Sequence, residues 1–188
     1  EERGLRGGRQ QAEQRRPVDH RGVQPIAVHV LQPQAGRAGA EAVVGDAGDK
    51  RCEFEGDLSG VHWIGAHMRS GRIVIHGPGG RHIGSELRGG EIRVEGDAGG
   101  WVGCEMRGGL IHVQGNAGHL VGAAYRGSAK GMMGGTILVD GNAGNEIGLS
   151  MQQGTIAIGG EAGDVLGFNM TDGTVLDFVR FAPDGRTL

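Results

Sequence analysis

Residues 75–115 read IHGPGGRHIGSELRGGEIRVEGDAGGWVGCEMRGGLIHVQG, and the second half of this stretch repeats the first. When Gly77 is placed over Gly96, the glycines, the aliphatic residues and an Arg-Gly-Gly element coincide at a constant offset of 19 residues. A fixed internal period of this length indicates a stack of similar structural units.

The repeat continues in both directions, and each unit opens on a glycine. The opening glycines are Gly56, Gly77, Gly96, Gly115, Gly141 and Gly160, at spacings of 21, 19, 19, 26 and 19 residues. Two extra residues near Ser59 and His62 account for the spacing of 21, and a seven-residue insertion within Arg126–Met132 accounts for the spacing of 26. The chain therefore holds six units, of which the last is incomplete.

Each unit contains one alternating run, such as Ile92-Arg93-Val94, which is typical of a half-buried strand. A second, shorter apolar segment follows the opening turn, so we expect two or three short strands in each unit. The frequent glycines leave no room for a helix of useful length. The predicted fold class is all-β: a single-stranded, right-handed parallel β-helix of about six coils with a 19-residue glycine-coded repeat.

The repeat also predicts which side chains face inward. One column of large apolar residues is expected in the core: Met68, Leu87, Met106, Met151 and Met170. A column of alanines fits a tight inner corner: Ala98, Ala117, Ala143 and Ala162.

The β-helix domain is predicted over residues 51–176, with the rod running from near Phe54 to near Val175. Residues 1–50 contain no aromatic residue, and Pro25–Leu31 is their one strand-like piece. We expect this segment to be poorly ordered, or to pack only where that short strand meets the first coil. Residues 177–188 form a predicted C-terminal tail. Because the end of a β-helix is an open sheet edge, the tail, a missing C-terminal segment or a partner must cover it.

Composition excludes several classes of protein. The formal net charge is −3, which gives no general argument for nucleic-acid binding. No apolar run is long enough to span a bilayer, so no membrane partner is predicted. Cys52 and Cys104 lie far apart without a C-x-x-C motif, which suits a reducing, cytoplasmic location rather than a disulfide framework or zinc site.

No catalytic constellation is visible in the repeat frame. The histidines beyond Phe54 fall in different columns, with no carboxylate placed between two of them in the manner of metal ligands. The serines of the rod are turn residues without a recognisable base. We therefore predict no catalytic, cofactor-binding or metal-ligating residue in this chain.

Two columns are candidate partner-docking surfaces. Trp63 and Trp101 stand about two coils apart with His82 between them, either folded over the rod or serving as interface anchors. Four arginines each directly follow a residue that is predicted to face inward, namely Met68, Leu87, Met106 or Tyr125. These arginines are expected to line one edge of the rod in successive coils: Arg69, Arg88, Arg107 and Arg126. Glu86 and Glu105 sit two residues before Arg88 and Arg107, so this edge is either self-neutralised or free to meet an anionic partner.

The stretch from Gly96 to Gly148, which includes the insertion GSAKGMMGGTI, resembles the C subunit of formylmethanofuran dehydrogenase. It is especially similar to the version in the bacterial formyltransferase/hydrolase complex, and the resemblance covers roughly Phe54–Val175. The glycine pattern is also similar, more distantly, to the C-terminal β-helical domain of the glutamate synthase large subunit.

The resemblance implies a non-catalytic scaffold in one-carbon metabolism. The family's chemistry belongs to three other subunits: an amidohydrolase-like subunit with metals, a molybdopterin-protein-like subunit, and a formyltransferase. Together they move a formyl group on a methanofuran-type coenzyme and link it to tetrahydromethanopterin. Coenzyme, metals and pterin are therefore expected in the partners, and no cofactor is expected in this chain.

Three other classes remain open. A glutamate-synthase-like domain supporting an amidotransferase would have glutaminase and flavin-binding neighbours. A hexapeptide acyltransferase would show an aliphatic residue at every sixth position, which the 19-residue period argues against. The third class is a structural repeat protein with unrelated partners.

Overall fold

The computed structural model describes residues 41–43, 48 and 50–177. These residues form eight strands and no helix: β1 Glu41–Val43, β2 Arg51–Glu55, β3 Arg72–His76, β4 Glu91–Val94, β5 Arg107–Val113, β6 Met133–Val139, β7 Gln153–Ile158 and β8 Thr174–Asp177. They make one sheet in chain order, in which β1 is antiparallel to β2 and every later pair is parallel. The predicted parallel β-helix is confirmed; its hand stays a prediction.

The strands stack in the register that the repeat predicts. Ile92 pairs with Ile73 on one side and Ile111 on the other, and Ile111 pairs in turn with Ile137. From β4 to β7 the side chains at this inward position are fully buried. Burial of successive aliphatic side chains above one another supplies the main favourable term for the rod.

The rest of each coil differs from the expectation of two or three strands. The alanine column forms single-residue bridges, such as Ala98 to Ala117, and tight turns complete the coil. Each coil therefore has one true strand. The second apolar segment contributes one buried residue per coil in the middle of the rod, at Ile83, Val102, Val121 and Ile147.

Seven parallel strands are present where about six coils were predicted. The additional strand is β2, which precedes the first opening glycine and has the charged sequence RCEFE. Its Cys52 and Phe54 pair with Ile73 and Ile75. Strand β1 covers the outer edge of β2, so residues 41–43 contact the first coil. Pro25–Leu31 and residues 178–188 lie outside the described residues.

Glycine is required at the corners for two different reasons. At Gly90 the backbone has a φ of +93°, in the region that side chains disfavour. At Gly96 a Cβ atom would lie 2.7 Å from the carbonyl carbon of Gly77 in the preceding coil. The close spacing of the coils, and not only the turn conformation, therefore selects glycine.

The predicted position of the insertion was wrong by one residue. Met132 donates its N–H to the carbonyl of Gly122 at 2.8 Å, as Met106 does to that of Gly103 at 3.1 Å. Met132 is also fully buried, whereas Tyr125 is only half-buried. The inserted residues are 125–131, and Met132 occupies the inward position predicted for Tyr125.

Candidate interaction surface

Three aromatic side chains begin equivalent tight turns in successive coils. Trp63, His82 and Trp101 have φ values of 66°, 62° and 60°. Each donates its backbone N–H to a carbonyl of the next coil, as from Trp63 to Arg81 at 3.0 Å. The same left-handed conformation occurs in later coils at Leu120, Glu146 and Val165. The backbone therefore does not require an aromatic ring here, and ring–ring contact is what distinguishes the first three coils.

The rings stack along the rod. The Trp63 and His82 centroids are 4.1 Å apart with planes at 2°, and those of His82 and Trp101 are 5.2 Å apart at 18°. Tyr125 leans against the stack, at 6.1 Å from Trp63 and 5.9 Å from His82. We call these four residues the aromatic ladder. Stacked pairs of this kind contribute about 0.5–1.5 kcal/mol beyond the area they bury.

Tyr125 reaches the ladder because the insertion starts beside a column of small residues. Ser85, Cys104 and Ala123 occupy this position in successive coils and are fully buried. The Tyr125 hydroxyl is buried near Ser85 and Cys104 but forms no hydrogen bond of good geometry. Burial raises the pKa of Tyr125 to about 12 and raises the pKa of the Cys104 thiol. Both groups are therefore neutral at physiological pH.

One serine–histidine pair within the ladder has the residue types of a nucleophile and a base. The Ser85 hydroxyl lies 3.4 Å from Nδ1 of His82 and donates to the carbonyl of Trp101 at 3.4 Å. Ser85 is completely buried, so a substrate has no access to it. Burial also lowers the pKa of His82. The pair serves the packing of the ladder.

The two tryptophans differ in exposure. Trp63, at the end of the stack, is 48% exposed and neighbours Val61, which is 39% exposed. Trp101 is half-buried. The rings do fold against the rod, and Trp63 still presents a large apolar surface to solvent. Its predicted role as an interface anchor stays a prediction.

The arginine edge contains three of the four predicted residues. Arg88 donates its N–H to the carbonyl of Met68, and Arg107 to that of Leu87, both at 2.8 Å. This pattern places Arg69, Arg88 and Arg107 above one another, and all three are exposed. The corresponding donor in the next coil is Met133. Arg126 lies in the insertion, so its predicted place in the column was wrong. We call Arg69, Arg88 and Arg107 the arginine column.

Glu86 and Glu105, which would neutralise this edge in one of the two alternatives, have other partners. Glu86 pairs with Nδ1 of His67 at 3.4 Å, and Glu105 accepts the N–H of Tyr125 at 3.4 Å. Within residues 50–177 the three column arginines form no ion pair. The edge therefore carries three exposed positive charges, spaced by about 4.8 Å per coil.

The outer face of the sheet carries a separate charged network. His76 lies between two carboxylates, with Nδ1 at 2.9 Å from Glu95 and Nε2 at 3.4 Å from Glu53. Arg72 pairs with Glu91 at 3.2 Å nearby. The hydrogen bond that the His76 ring donates to the Glu95 carboxylate raises the pKa of His76, and the same bond lowers the pKa of Glu95. These charges neutralise one another, unlike the arginine column.

The opposite shifts of His76 and Glu95 predict a window of pH-dependent stabilisation. The raised pKa of His76 gives a contribution that is complete below its ordinary value of 6.5 and is lost as pH rises through the folded-state value. The lowered pKa of Glu95 gives a contribution that is complete above its ordinary value of 4.5 and is lost on acidification. The pair should therefore stabilise the fold most between these two values.

NMR titration of the His76 ring checks this prediction. Replacement Glu95→Gln should lower the measured pKa of His76, and the difference in melting temperature between wild type and Glu95→Gln should shrink above and below the window. An unchanged His76 pKa in the variant would show that Glu95 does not hold the imidazolium.

Comparisons with known proteins add no identification. No protein-family model matches the sequence, and no curated protein matches it. In the described part of the chain, no three His, Cys, Asp or Glu side chains are grouped to hold a metal ion. The same residues contain no helix able to cross a membrane.

Proposed function

We propose that this chain is a non-catalytic scaffold subunit of a formylmethanofuran dehydrogenase-type or formyltransferase/hydrolase complex. The resemblance of residues 96–148 to the β-helical subunit of that family, including the inserted element, supports the choice of complex. Two features support a scaffold role: the β-helical fold, and two exposed surfaces that the described residues 50–177 leave uncovered. Formyl transfer and its cofactors belong to the other subunits in this proposal.

The arginine column is the observation that carries the docking part of the proposal. Unit charges about 5 Å apart repel by about 3 kcal/mol at an effective dielectric near 20. The three column arginines form no ion pair within the described residues, so the approach of an anionic surface would reduce the repulsion between them. Arginine suits such a contact because its planar guanidinium group pairs with carboxylates at two points.

The proposed partner is an acidic surface on another subunit of the complex. Arg88 occupies the centre of the column and Arg107 its C-terminal end, close to the corner that bears the insertion. The exposed Trp63 lies at the N-terminal end of the ladder and offers an apolar anchor. Charged contacts at such an interface set orientation and association rate, and a buried aromatic side chain contributes affinity.

Charge reversal tests the arginine column. The double replacement Arg88→Glu and Arg107→Glu is expected to reduce co-purification of the partner subunits at least about tenfold, because two attractive contacts become repulsive. Replacement Arg81→Glu and Arg126→Glu is the matched control, since it makes the same charge change at exposed positions outside the column. Circular dichroism confirms that both variants keep the fold.

Equal loss of assembly in the two double variants would show a general charge effect rather than docking by the column. Affinity purification of the natural complex tests the identity separately. Recovery of formyltransferase and amidohydrolase-like subunits supports the proposal, whereas recovery of glutaminase and flavin-binding proteins favours the amidotransferase alternative.

A further inference from the structure

The arginine column has a fixed spacing that a partner must match. Backbone hydrogen bonds place Arg69, Arg88 and Arg107 in three successive coils, in the middle of the described chain. Because neighbouring coils of a sheet lie about 4.8 Å apart, the three side chains start within about 9.6 Å along the rod. In the next coil Met133 takes this position, so the positive array is limited to three residues.

The two sides of the column differ in what they offer a partner. Small residues follow each column arginine, and none of them is buried: Ser70 and Gly71, Gly89 and Gly90, and Gly108 and Gly109. We call these six residues the glycine strip. On the other side of the column stand Glu86 and Glu105, which repel a further carboxylate. An acidic partner can therefore approach closely only from the side of the glycine strip.

The spacing of the column decides which acidic structure fits it. In an α-helix, carboxylates at positions i, i+4 and i+7 lie on one face and span about 10.5 Å. In an extended strand, three successive carboxylates on one face span about 13 Å. The mismatch with the column is therefore about 1 Å for a helix and about 4 Å for a strand. The flexible arginine side chains can absorb the smaller mismatch without spreading apart.

We propose that the arginine column binds an α-helix of a different polypeptide, which lies along the rod and carries Glu or Asp at three successive turns of one face. Each carboxylate accepts hydrogen bonds from one guanidinium group. Small side chains on the flank of the helix lie over the glycine strip. The inference rests on the docking part of the proposed function and adds the structure of the partner.

The chain itself offers no such acidic array. The described residues contain no helix, and no column of the repeat carries carboxylates in three successive coils, so a second copy does not match. Residues 1–40 contain seven arginines and four acidic residues, and no two of these acidic residues are three or four positions apart. Residues 44–49 contain two acidic residues and residues 178–188 contain one. The sequence therefore selects a different polypeptide as the occupant.

Binding of a synthetic helix to the full chain tests the inference. The probe is a fluorescein-labelled, alanine-rich peptide that a hydrocarbon staple holds helical, with glutamates along one face at alternating intervals of three and four residues. The control peptide has the same composition and staple, with its glutamates distributed around the helix. Fluorescence anisotropy at low salt should show at least about tenfold tighter binding of the probe. An unstapled peptide that alternates glutamate and valine should bind no better than the control.

Variants of the chain locate the binding surface. Arg88→Gln removes the central charge of the column and should weaken binding of the probe at least about tenfold. Arg88→Lys keeps the charge without the planar guanidinium group, and should weaken binding less. Arg81→Gln is the matched control, because it removes a charge at an exposed position outside the column and should leave binding unchanged. Circular dichroism confirms that each variant keeps the fold.

Three results would overturn the inference. The first is equal affinity for the two helical peptides, or equal weakening by Arg81→Gln and Arg88→Gln, which would show a general attraction to positive charge. The second is tighter binding of the alternating peptide, which would indicate an extended partner. The third is tighter binding of a single-stranded oligonucleotide than of the probe. All three are measured on the chain alone, so they are independent of the affinity purification that tests the formyl-transfer complex.

Discussion

Replacement of Ile111 by alanine is expected to lower the free energy of unfolding by about 2–5 kcal/mol. Ile111 is completely buried in the middle of the rod and pairs with Ile92 and Ile137. Its Cδ1 atom lies over the corner glycines Gly84 and Gly103. Because glycines have no side chain with which to fill the space, truncation leaves a cavity that the corner cannot close.

Urea denaturation of both proteins measures this loss. Val175→Ala is the matched control, because Val175 belongs to the same column but is only half-buried in the last coil. We expect a loss of less than about 1.5 kcal/mol there. A similar loss at both positions would contradict the view that stability in this stack depends on cover from neighbouring coils on both sides.

Tyr125→Ala is expected to lower the free energy of unfolding by about 2–4 kcal/mol. The replacement removes the ring that leans on Trp63 and His82, and it uncovers Ser85 and Cys104. Tyr125→Phe should change stability by no more than about 1 kcal/mol, because the hydroxyl is buried without a well-formed hydrogen bond.

Denaturation and tryptophan fluorescence together distinguish the two variants. Tyr125→Ala should alter the emission of Trp63, and Tyr125→Phe should leave it close to that of wild type. If the phenylalanine variant were as unstable as the alanine variant, the hydroxyl and not the ring would hold the insertion against the ladder.

The sequence was sufficient to predict the column of inward aliphatic residues, because the pairing of these residues follows the repeat. Ile92, Ile111 and Ile137 stack as the period requires, even though the last two are separated by the insertion. Strand β2 was missed because its charged residues hide the alternation of Cys52 and Phe54. Strand β2 could have been predicted by aligning Cys52 and Phe54 with Ile73 and Ile75 of β3, which lie 21 residues later.

The insertion shows where a repeat pattern is insufficient. Tyr125-Arg126-Gly127 imitates Met106-Arg107-Gly108, so the sequence aligned Arg126 with the arginine column. The backbone hydrogen bonds and the burial of Met132 show that Met132, and not Tyr125, takes the inward position. The partners of Glu86 and Glu105 could not be predicted either, because an ion pair with His67 and a hydrogen bond from the Tyr125 N–H depend on side-chain directions and not on the period.

The insertion of residues 125–131 lengthens one coil at a corner, and after a register shift between Arg107 and Leu110 the flanking strands β5 and β6 pair regularly from Leu110 to Val113. The number of residues in a coil and the distance between successive coils are thus independent of each other. A segment can be inserted at this corner without repacking the core, because the stabilising burial of stacked side chains lies in the strands. The length of a single coil can therefore change while the spacing between coils stays the same.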